Sequence, residues 1–140
     1  MNTNEKMLVW FIRFTAVMFL CAAPAVVMPT EWKRAIAEFS GVTLPDSPLV
    51  EYLTRSMSAL YATMGASYWF MSCDIRRYLP LLRFSVPVMA AFDVTIIILD
   101  LMIPMPASWI AGEAFSIILW TLALWWLVRR ASSTPTEPEA

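Results

Sequence analysis

Histidine is absent from this chain of 140 residues, which removes the commonest metal ligand and the side chain that most often carries protons near neutral pH. Zinc and haem are therefore not expected, and no cofactor is implied. Charge is scarce too: 15% of residues are ionisable Asp, Glu, Lys or Arg and the net charge is −1. No basic face of the size a nucleic acid requires can be assembled from so few charges. Serine-nucleophile, P-loop and dinucleotide-binding patterns are missing as well, so nothing assigns catalytic residues or enzyme chemistry.

What the chain has instead is apolar sequence, 59% of it, against about 45–50% in soluble proteins. A spanning helix needs about 20 mostly apolar residues. Four stretches qualify: Met7 to Met28, Val50 to Ser72, Pro80 to Ile103 and Ala107 to Val128. The expected fold is all-α: a single polytopic membrane domain over residues 1–130, built as a four-transmembrane-helix bundle. Lys6, Arg76, Arg77, Arg129 and Arg130 then share one side against Lys33 and Arg34 on the other, which places both termini in the cytoplasm. Trp10, Trp109, Trp125 and Trp126 fall near span ends, where indole rings favour the headgroup region. The first span also meets the outline of a cleaved signal peptide, with Ala23-Pro24-Ala25 as a loose cleavage site, although Arg13 interrupts its apolar centre.

Residues 31–40 differ in kind. Trp32, Ala35, Ile36 and Phe39 recur on one helical face while Glu31, Lys33, Arg34 and Glu38 fill the remainder, the pattern of a short amphipathic interfacial helix between spans one and two. Thr30 is placed to cap its start and Gly41 to end it. Asp74 to Tyr78 reads as an inner loop, and residues 131–140 as a disordered cytoplasmic tail. Cys21 and Cys73 lie about 20 Å apart along the span axes. A disulfide, which needs Cα atoms within about 7 Å, is thus ruled out inside one protomer.

Ionisable groups inside the spans are costly and are candidates for function. Asp93 and Asp100, seven residues apart, project the same way from the third span about 10 Å apart in depth. Asp100, Arg55 from the second span and Glu113 from the fourth reach a common outer layer, and Glu51 precedes Arg55 by four, the spacing of an intrahelical ion pair. Asp93 has no basic residue at its depth. On the second span Ser58, Ala62 and Ala66 give a small-xxx-small face for close packing. Met57, Met64 and Met71 form a stripe that suits packing, or a soft metal such as Cu(I), and Tyr61 and Tyr68 either pack or hydrogen-bond toward the acids.

Leu44-Pro45-Asp46, Glu51-Tyr52-Leu53-Thr54-Arg55-Ser56, Asp74-Ile75-Arg76-Arg77-Tyr78, Asp100 and the segment from Pro106 to Glu113 together resemble a family of small four-span bacterial inner-membrane proteins with no assigned activity. The resemblance implies an inner-membrane setting and no catalytic residue, and an acid at position 93 is not a regular part of that family's pattern. Three roles follow. One is a small accessory or scaffold protein, alone as a homo-oligomer or beside a membrane-protein partner, whose polar cluster locks the bundle. A second is a component of a proton or cation transporter or channel using Asp93, Asp100 and Glu113. The third is binding of a lipid or other apolar ligand in the outer leaflet, with Arg55 facing an anionic headgroup.

Overall fold

The computed structural model describes residues 2–39, 41, 45–103 and 107–132. They are helical almost throughout, with no strand among them: α1 (Thr3–Leu20), α2 (Pro24–Val27), α3 (Thr30–Phe39), α4 (Pro48–Cys73), α5 (Ile75–Met102) and α6 (Ala107–Ser132). Among the described residues three stretches are long and apolar enough to cross a membrane: Thr3–Val27, Ile75–Met102 and Ala107–Ser132. Helix α4 has the length but not the hydropathy, because hydroxyl and aromatic side chains and Gly65 dilute its apolar content even in the uncharged stretch after Arg55. The helices form two compact units, Met1–Phe11 with Asp74–Ala140, and Ile12–Cys73, so that α1 contributes its first part to one and its remainder to the other.

In the first unit α5 packs along α6. Asp74 starts α5 by accepting the Arg77 backbone N–H at 3.2 Å, which satisfies one of the donors a helix start leaves open. This corrects the inner-loop expectation for Asp74 to Tyr78: a capping aspartate lets helix begin at Ile75, and Arg76 and Arg77 sit in its first turn. Arg76 reaches back to Glu5 with two bonds, 2.8 and 3.2 Å. Leu8, Leu82 and Leu124 are buried, and Phe11 meets Trp120 with ring centroids 4.7 Å apart. Helix α6 runs on past Val128 through Ser132, so Ala131 and Ser132 are helical. The expected tail beyond them, and the turn between the third and fourth spans, lie outside the described residues.

In the second unit the chain after Leu20 breaks at residues 21–23, restarts as α2 from Pro24, and turns extended at Met28. Helix α4 packs on α1 through Gly65. A Cβ there would lie 2.9 Å from both Ala16 O and Leu20 N, an approach only glycine allows. The close-packing face is thus Ser58, Gly65, Tyr68 and Ser72, all buried, whereas Ala66 of the expected stripe is exposed. Phe19 packs between Tyr61 and Tyr68, with ring centroids at 5.6 and 5.9 Å, so those tyrosines serve packing. Gly41 adopts φ +76° and donates its N–H to Glu38 O at 2.9 Å, a left-handed stop after α3.

Candidate functional site

The charged residues of the second unit converge on Glu51, in the first turn of α4. Oε1 accepts from Lys33 Nζ at 2.9 Å and from Arg55 Nε at 2.6 Å, and Oε2 accepts from the Thr30 hydroxyl at 3.0 Å. Arg55 Nη2 also lies 2.6 Å from Glu51 Oε1, and the guanidinium reaches backbone as well: Nη1 donates to Val26 O at 2.6 Å and Nη2 to Met28 O at 3.4 Å. One carboxylate and one guanidinium thereby tie together α2, α3 and α4. Arg34 pairs with Asp46 nearby, and a pocket of about 290 Å³ opens among these groups beside Thr54.

Local sequence explains the arrangement. Spacing of four on α4 brings Arg55 over Glu51. Pro29 sets the start of α3, with Trp32 N and Lys33 N both bonded to its carbonyl. Thr30 consequently does not cap α3 as expected, since its hydroxyl faces Glu51. Lys33 is 8% exposed, while Trp32 and Ile36 are exposed and Phe39 is 95% exposed. A polar-face lysine would ordinarily point to water. Here the basic residues of α3, Lys33 and Arg34, turn to the protein, while Glu31 and Glu38 stay exposed and the apolar side turns outward.

The membrane acids belong to the first unit. Asp93 is buried, 7% exposed. Asp100 is half-buried and its Oδ2 is shielded and unbonded. Glu113 accepts from Trp109 Nε1 at 2.8 Å, an i,i+4 bond inside α6. The neighbours that depth arithmetic did not foresee are the backbone carbonyls that hold Arg55 and the indole that holds Glu113. Arg83 was hidden within an apparent span, where it looks like an interruption. Its Nε donates to Ser132 Oγ at 2.8 Å, linking α5 to the end of α6. Cys21 and Cys73 are free thiols. No protein-family model, curated protein or solved structure matches the chain.

Proposed function

We propose that the chain is a four-span protein of a bacterial inner membrane, with both termini cytoplasmic, acting as a small accessory or scaffold protein whose outer end is latched by Glu51. The observation that carries this role is the saturation of Glu51 and Arg55. Their polar atoms go to Lys33, Thr30 and two backbone carbonyls, a use that holds segments together. Support for α4 as a span, the second in chain order, comes from its surface. Leu53, Met57, Leu60 and Phe70 are exposed, as lipid-facing residues would be. Its hydroxyls also return to the helix: Thr54 to Val50 O, Ser56 to Tyr52 O, Thr63 to Ala59 O and Ser67 to Thr63 O, at 2.6–2.9 Å. A hydroxyl satisfied within its own helix costs less in lipid than hydropathy counts against it. The outward apolar side of α3 suits a helix lying on the membrane. Partners would be membrane lipids and a second copy or another membrane protein.

The test separates a latch from a site. Neutralising Glu51 and Lys33 (Glu51→Gln, Lys33→Met) in the full-length protein should lower its melting temperature in detergent. If both variants melt like the parent yet a cellular phenotype is lost, the latch reading fails.

A proton or cation path is the second reading, favoured by the burial of Asp93 and the shielded, unbonded Oδ2 of Asp100. Proton flux into liposomes that disappears in Asp93→Asn or Asp100→Asn would establish it. Absence of flux above empty liposomes leaves the scaffold.

A further inference from the structure

The end of the α5 and α6 pair that carries Arg83 also carries an open groove, about 480 Å³, that the latch at Glu51 does not involve. Its walls are of two kinds. Val86, Pro87 and Trp125 form an apolar side, and Arg83 and Arg129 stand at its polar end with Ser132. Among the described residues the lining includes no carboxylate. Pro87 lacks the N–H that would bond to the carbonyl of residue 83, so α5 runs on through the groove with one backbone bond missing there.

The polar end is ordered by its own bonds. The Ser132 hydroxyl donates to Val128 O at 2.7 Å and accepts Arg83 Nε at 2.8 Å, which fixes the plane of the Arg83 guanidinium. The terminal nitrogens of Arg83 have no partner among the described residues. Arg129 lies over the Trp125 ring, 5.4 Å from its centroid, a cation held against an aromatic face. Both arginines sit where the apolar run of α6 ends, at headgroup depth for a helix of this kind. Guanidinium forks match phosphate geometry, and basic clefts between spanning helices suit phosphorylated headgroups.

We propose that this groove is a binding site for one anionic phospholipid, its phosphate held by Arg83 and Arg129 and an acyl chain lying along Val86, Pro87 and Trp125. The site requires only α5 and α6, both apolar enough to span, so it stands whether or not α4 crosses the membrane and whether or not Glu51 is a latch.

Native mass spectrometry of the full-length protein in detergent, titrated separately with phosphatidylglycerol, phosphatidylcholine and glycerol 3-phosphate, tests it. Phosphatidylglycerol should bind at a concentration at least about tenfold below that of phosphatidylcholine. Replacing both arginines (Arg83→Gln with Arg129→Gln) should weaken it by about 30-fold, while Arg77→Gln, outside the groove, should not. Val86→Trp, which fills the apolar wall and leaves both arginines, should also abolish the preference and serves if the double variant misfolds. Equal binding of the two lipids, an equal loss in Arg77→Gln, or retained preference in Val86→Trp overturns the site. Displacement of the lipid by glycerol 3-phosphate at matching concentration would make the ligand a free phosphate compound and overturn the lipid. Binding that emerges only after removal of residues 133–140, with Glu137 and Glu139, would make the chain's own tail the occupant and overturn it too.

Discussion

Gly65 and Gly112 both lie within helices, and their surroundings give opposite expectations. A methyl group at Gly65 meets α1 backbone, whereas at Gly112 nothing lies within 4 Å. Gly65→Ala should destabilise the protein by about 1–3 kcal/mol, the usual cost of overpacking. Gly112→Ala should stabilise it by up to about 1 kcal/mol through helix propensity. Melting in detergent measures both, and equal effects would show that α4 does not press on α1 at residue 65. Asp100 permits a third expectation. A shielded oxygen without a partner costs free energy, so Asp100→Leu should raise stability by about 1 kcal/mol. A fall in the same assay would reveal a partner for that carboxyl.

At the scale of elements, the latch is where charge does structural work. Arg55→Met leaves Glu51 and two carbonyls each short of a donor and should cost about 1–2 kcal/mol, less than a fully buried pair because the arginine is partly exposed. Arg55→Lys keeps the charge but cannot fork between Glu51 and the carbonyls, so it should recover only part of that loss. Chemical denaturation of the two variants side by side gives the comparison. The sequence made some of this legible and not the rest, for physical reasons. Gly41 as a stop and the Glu51 to Arg55 spacing follow from local rules about turns and helix faces. The inward turn of Lys33 does not, because a lone amphipathic pattern cannot say which side meets protein and which meets lipid. Gly65 does not stand out, because three small residues at regular spacing, Ser58, Ala62 and Ala66, offer a competing face one position away. Arg83 was passed over because its partner, Ser132, lies at the far end of the chain.

For the whole molecule the question is parity. Helix class and apolar character were readable from composition, and three spans follow from hydropathy alone. Helix α4 falls short on that sum, but bonds from hydroxyl to carbonyl, invisible to it, lower its cost in lipid. Four spans return the chain to the side it started from, and three do not. Fluorescent-protein fusions to the N-terminus and to the C-terminus, which mature only in the cytoplasm, should therefore both fluoresce in bacterial cells. One bright and one dark fusion would remove α4 from the membrane and with it the four-span proposal.

The bonds from Arg55 to Val26 O and Met28 O have a consequence in time as well as in space. Synthesis delivers the first span before the side chain that closes its broken end, 29 residues further on. Until α4 emerges, those carbonyls lack the guanidinium that later bonds them. The first hydrophobic segment is therefore made with its end unfinished, and α4, two helices later in the chain than α2, completes it.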